Sequence, residues 1–254
     1  MADKQATTQR DGFKSKWGFI LACIGSAVGM GNIWRFPIMV SIWGGMTFLI
    51  PYFICVILIG STGVIGEFAL GRATGAGPIG AFGKCTELRG NKKIGEAIGF
   101  IPVLGSMALA IGYTVVMGWI FKYTAISITG DMHAMGQDMA AIGGHFDIVA
   151  VSNLPWIIVA IVASFAIMAM GVSGGIEKAN KVMMPILFFL FVGLGIYIAF
   201  LPGASDGYKY IFKLDPKGLA NPMVWIFAFG QAFFSLSVAG NGSVIYLSLI
   251  HISE

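Results

Sequence analysis

The chain has 254 residues, of which 57% are hydrophobic and only 11% charged, and its 16 lysines and arginines against 12 acidic residues give a net charge of +4. A water-soluble domain of this composition would expose more apolar surface than water tolerates, so the composition excludes one and points to a bilayer. The small positive excess sits between the apolar runs and marks a membrane-surface bias, so no nucleic-acid partner is expected.

Residues 1–16, with Lys4, Arg10, Lys14 and Lys16, read as a cytoplasmic N-terminal segment. The apolar run after it has no small-residue cleavage site, so it is expected to be retained. A crossing helix needs about 20 residues, and six runs are long enough, near 17–39, 45–71, 97–124, 153–172, 180–201 and 222–250. They predict an all-α integral membrane protein with a transmembrane domain over 17–250 and a cytoplasmic tail over 251–254. The 73–96 connection is glycine-rich and then basic, long enough for a short interfacial helix. The 125–152 connection carries Asp131, Asp138 and Asp147 with no Lys or Arg and reads as an outer loop with room for one short amphipathic helix, and 203–221 is the second outer connection. A cytoplasmic N-terminus places the lysines and arginines of 1–16, 73–96 and 178–181 inside, which predicts a multi-pass plasma-membrane protein with its N-terminus in the cytoplasm.

Cys23 and Cys55 lie in spans and Cys85 in a cytoplasmic connection, so all three are expected to be reduced. His133, His145 and His251 are far apart and lack partners at zinc-ligand spacing, so no structural metal is expected.

Two spans carry residues that a plain lipid-crossing helix would not. The first holds Gly25-Ser-Ala-Val-Gly-Met-Gly-Asn32-Ile-Trp-Arg35-Phe-Pro37, and the last holds Gly230-Gln-Ala-Phe-Phe234-Ser235-Leu-Ser237-Val-Ala-Gly240-Asn241-Gly242. Glycine and proline weaken the helical ladder, and freed carbonyls at membrane depth are tolerated only where protein buries them or they line a cavity. Both helices are therefore expected to break near the midplane, leaving helix ends suited to a zwitterion and a cation. Glycines serving only close helix packing would explain one such span; two that also carry Asn32, Gln231 and Ser235 favour a site.

These two motifs, with Arg10-Asp-Gly-Phe-Lys-Ser-Lys-Trp-Gly-Phe-Ile-Leu-Ala22, Glu67-Phe-Ala-Leu-Gly-Arg72 and Gly174-Gly-Ile-Glu-Lys178, resemble the neurotransmitter:sodium symporter family, which includes bacterial leucine-transporter-like members. The resemblance implies the N-terminal half of an inverted-repeat transporter fold, with discontinuous helices one and six, in a sodium-coupled symporter of a neutral amino acid. It implies one sodium held by the Ala27 carbonyl, Asn32, Ser235 and the substrate carboxylate, and a second held by the Gly25 and Val28 carbonyls. The substrate would meet the backbone at Met30 and Gly31 and the hydroxyl of Tyr113, with Ser26, Leu109, Gly112, Phe234, Ser237 and Gly240 bordering its side chain. Gly29 stands where amine carriers of the family have aspartate, which implies a substrate that brings its own carboxylate. Arg35 and Phe234 resemble the outer gate, Arg10 and Phe13 the cytoplasmic latch, and Glu67 a support for the unwound part of helix six. Tyr52, Gln231 and Ser235 resemble part of the chloride site of eukaryotic relatives, and chloride need stays open because the deciding group would come from helix seven.

Family members have eleven or twelve helices, so the resemblance implies a chain truncated after the sixth. The missing helices would come from a second chain or from a copy in the opposite orientation; the Lys and Arg asymmetry disfavours the latter. The alternative is a non-transporting binding or assembly module on the same scaffold. An enzyme is not expected, since Glu67 has no evident catalytic companion.

Overall fold

The structure, a computed structural model, describes residues 12–249 except 137 and 239, and of Met139 the backbone only. The described residues form helices and turns with no strand among them. They divide into two units, residues up to Val103 together with those from Val172, and Leu104–Gly171.

Helix α1 (Lys16–Ala27) starts at Ser15, whose hydroxyl accepts the Gly18 amide at 3.0 Å. It stops at the first glycine-rich motif. The chain resumes as a π-helical turn (Gly31–Arg35) that runs into α2 (Phe36–Trp43), and the two halves are bent by 53°. Pro37 falls in the first turn of α2, where its missing N–H costs little. Gly44 and Gly45, both at positive φ, then reverse the chain, and a side chain at Gly45 would strike the backbone of Tyr210 and Ile211.

Helix α3 (Met46–Ile59) passes through a π-helical turn (Gly60–Val64) into α4 (Ile65–Thr74), one continuous apolar stretch of 29 residues. Helix α5 (Pro78–Glu87) follows, then α6 (Lys92–Thr129), 38 residues long. Next come α7 (Asp131–Ala134), α8 (Met139–Val151) and α9 (Leu154–Ala169), with a 67° bend between the last two. A π-helical turn (Val172–Ile176) opens α10 (Glu177–Ala199), and the short α11 (Ala204–Phe212) and α12 (Pro216–Leu219) lead to α13 (Pro222–Ser235) and α14 (Gly242–Ser248).

Three stretches among the described residues are long and apolar enough to cross a bilayer, Met46–Thr74, Lys92–Thr129 and Val172–Ala199, and there are five if each bent pair counts as one. The sequence leads to six. The sixth, 222–250, is met by α13 and α14 with a break between them, and α13 alone spans about 21 Å, short of the hydrocarbon thickness. The helix expected within the 125–152 connection is met by α8, whose start is capped by Asp138 accepting the Ala140 and Ala141 amides.

In the first unit α13 lies along α3, α1 along α10, and α14 along α4. Val40, Phe48, Val224 and Ala228 form one buried cluster with Trp43, Tyr52 and Phe227 around it, and Cys55, Ile59 and Ala232 form another beneath Leu236 and Val238. Small residues set the distances. Ala228 and Ala232 are fully buried, a side chain at Gly71 would strike the Val244 carbonyl, and Gly95 and Gly99 seat the start of α6 against α5. Phe188, Phe189 and Phe200 on and after α10 are exposed, a surface suited to lipid tails. In the second unit Asn153 donates to the Val115 carbonyl at 3.2 Å and Gly118 leaves no room beside Ile157, which docks the start of α9 on α6.

Candidate functional site

The first break begins where the Gly29 amide, which a continuing helix would aim at the Gly25 carbonyl, turns to Ala27 at 3.1 Å, and the Asn32 amide turns to Gly29 at 2.9 Å. The carbonyls of Gly25, Ser26 and Ala27 thereby leave the regular ladder. The second break begins after Ser235. Ser237 and Asn241 both take left-handed backbone conformations, φ +51° and +63°, so the helix cannot continue until Gly242.

The two breaks are joined by side chains. Asn32 donates through Nδ2 to the Ala27 carbonyl at 2.8 Å and accepts at Oδ1 from the Ser235 hydroxyl at 2.6 Å. Gln231, with no exposed surface, donates to the Gly31 carbonyl at 3.2 Å and to Ser235 Oγ at 3.3 Å. Ser237 donates to the Ser26 carbonyl at 2.7 Å. These bonds link residues more than 200 positions apart in sequence.

Gly31 is buried against the Phe234 ring, which occupies the place a Cβ would take. The Arg35 guanidinium carbon lies 5.9 Å from the centre of that ring, within cation–π range. Gly29, Met30 and Val28 are all within the first break, and Gly240 is exposed in the second. Gly63 faces Val238 and Gly71 faces Val244, so Glu67, spaced four residues from each on one helical face, shares the side of α4 that meets the second break. Phe13 is buried, with ring contacts to Phe19 at 5.6 Å and Tyr246 at 5.5 Å. Leu109, Gly112 and Tyr113 lie on α6 in the second unit, Leu109 exposed and Tyr113 half-buried. Arg10 and residues 251–254 lie outside the described residues.

Two side chains carry contacts that the sequence did not assign. Asn241 donates from the second break to the Pro102 carbonyl of α6 at 2.8 Å. Glu177 is 2% exposed and accepts from the Lys14 amide at 2.8 Å, Ser15 Oγ at 2.9 Å and Lys181 Nζ at 2.6 Å. An asparagine between two glycines and a carboxylate just after a Gly-Gly pair were the available signals.

The oxygens gathered at the breaks are carbonyl, amide and hydroxyl, the neutral hard donors that suit an alkali cation. The C-terminal ends of α1 and α13 present the negative end of the helix dipole, and the N-terminal ends of the first π-helical turn and of α14 present the positive end, which favours a carboxylate.

A multi-pass helical membrane protein whose two broken helices share an oxygen-lined site is the architecture of a secondary transporter. The sodium:neurotransmitter symporter family model matches residues 10–142 and 137–251, and the chain belongs to that family, one of transporters rather than enzymes. An uncharacterized sodium-dependent transporter of Methanocaldococcus jannaschii is 35% identical over 255 residues, covering 95% of this chain and 50% of that one. The sodium-dependent neutral amino acid transporter B(0)AT3 of Mus musculus is 31% identical over 267 residues, covering 94% and 42%. The crystal structure of MhsT in complex with L-phenylalanine aligns with a TM-score of 0.82 at 35% identity, covering 94% of this chain and 54% of MhsT. The chain spans about half the length of the curated relatives it matches.

Proposed function

We propose that this chain carries the central binding site of a sodium-coupled symporter for a neutral amino acid, in a plasma membrane with the N-terminus cytoplasmic. The observation that carries the reading is the Ala27–Asn32–Ser235 chain, which brings three oxygens from both broken helices into one hydrogen-bonded group. A sodium ion entering there would replace the Asn32 Nδ2 donor at the Ala27 carbonyl and turn Asn32 Oδ1, Ala27 O and Ser235 Oγ on itself, with the substrate carboxylate as a further ligand. Sharing that ligand ties the two binding events together thermodynamically. A second sodium would use the Gly25 and Val28 carbonyls.

The amino acid would lie across the first break, its polar end at Met30 and Gly31, its side chain toward Ser26, Phe234, Ser237 and Gly240. Gly29 leaves the site without an acidic group for a lone amine, which supports a substrate with its own carboxylate. Phe234 under Arg35 is suited to close the site from outside, with Arg10 and Phe13 closing it from the cytoplasm. Glu67 and Gln231 support the unwound segment.

Purified chain and vesicles containing it, given radiolabelled L-phenylalanine and L-leucine, test the reading. Binding that tightens with sodium, and uptake driven by an inward sodium gradient, are expected of a symporter. A second reading is a non-transporting binding module on the same scaffold. Sodium-dependent binding without uptake identifies it.

A further inference from the structure

The inner half of the first broken span, α1, is held to α10 by an arrangement that the ion site does not use. Helix α1 has no acidic residue in its first turn, and Lys16 sits there instead, an unfavourable charge at the positive end of the helix dipole. The missing negative charge comes from Glu177, 162 residues away on α10. Its carboxylate accepts the Lys14 amide directly, and it accepts the Ser15 hydroxyl, which in turn accepts the Gly18 amide, so the N-terminus of α1 is capped through a two-step relay. The same carboxylate lies in the first turn of α10 and pairs with Lys181. One buried charge therefore serves two helix N-termini and a lysine.

Shape enforces the pairing as well. A Cβ at Gly18 would occupy the space of the Glu177 Cγ, Cδ and Oε1, and a Cβ at Gly25 would occupy that of Asn180 Oδ1. Ala22, between them on the same face, has no exposed surface. Helix α1 thus lies on α10 along Gly18, Ala22 and Gly25, and the last of these opens the carbonyl run of the first break.

We propose that Glu177 is a positioning residue that staples the cytoplasmic end of α1 to α10, so that releasing the carboxylate frees the inner half-helix while the outer half, α2, stays packed. The consequence for the ion ligands rests on the function proposed above, but the staple does not.

Its test reads the motion of α1 without sodium or substrate, so its failure is distinguishable from failure of that function. Cys23 lies half-buried on α1, and Cys55→Ser with Cys85→Ser leaves it as the one thiol in the chain. In detergent-purified protein, Glu177→Gln leaves a single acceptor oxygen for three donors, the Lys14 amide, the Ser15 hydroxyl and the Lys181 ammonium. It should speed Cys23 alkylation at least about tenfold, the effect of losing one charge-assisted hydrogen bond. Gly18→Ala should do the same by sterics alone. Glu177→Ala, which vacates the space, should make Gly18→Ala nearly silent in the double variant. Ser15→Ala, which breaks the relay and leaves the Lys181 pair intact, gives the same reading should Glu177→Gln not fold. Native alkylation rates in the folded Glu177→Gln or Ser15→Ala protein and in Gly18→Ala, or full additivity in the double variant, would overturn the proposal.

Discussion

Gly31 and Asn32 are adjacent and have opposite requirements. Gly31 must have no side chain, since the Phe234 ring fills that space, whereas Asn32 uses both ends of its amide, one toward Ala27 and one toward Ser235. Gly31→Ala should displace Phe234 and cost about 1–3 kcal/mol of stability, the usual range for overpacking; an unchanged melting temperature would show that the ring moves freely. Asn32→Ala leaves the Ala27 carbonyl and Ser235 hydroxyl without that partner, so sodium-dependent binding should weaken by about 1–3 kcal/mol, or roughly 5- to 150-fold. Titrating sodium at fixed amino acid measures it, and equal sodium dependence in variant and parent counts against the ligand assignment. Gly29→Asp should lower affinity for amino acids and raise it for amines without a carboxylate, read by competition with tryptamine; no change in rank would remove Gly29 as the discriminator.

The elements that matter are those that stop. The second break depends on two non-glycine residues at positive φ, an uncommon and costly choice, and Asn241 offsets its cost by donating to the Pro102 carbonyl. Asn241→Gly keeps the backbone and loses the hydrogen bond, while Asn241→Ala loses the bond and adds about 1–2 kcal/mol of left-handed strain. Thermal melting in detergent should therefore rank parent above Gly above Ala, and an Ala variant as stable as the Gly variant would mean the segment relaxes to another conformation. Both breaks were legible in sequence, because glycines and small polar residues inside an apolar run have few other uses. The contacts of Asn241 and Glu177 were not, since their partners lie 139 and about 160 residues away and the neighbouring glycines do not say which residues those are.

At the scale of the whole molecule, composition sufficed for an all-helical membrane protein, because apolar content and run length decide that class directly. The number of crossings was harder to read. Bends of 53° and 67° and the termination of α13 after 14 residues are set by packing and by left-handed turns, and hydropathy averages over them. Tyr113 illustrates the same limit for the site: a tyrosine in an apolar span has many uses, and only its resemblance to a family motif marked it. Sodium-coupled binding requires one site assembled from two broken helices, and a double-mutant cycle between Asn32→Ala on the first and Ser235→Ala on the second tests it most directly. Measured as the sodium dependence of amino-acid binding to the purified chain, the two substitutions should couple by at least about 1 kcal/mol, as groups sharing one ligand do. Strictly additive effects, or affinities indifferent to sodium in the parent chain, would contradict a shared site.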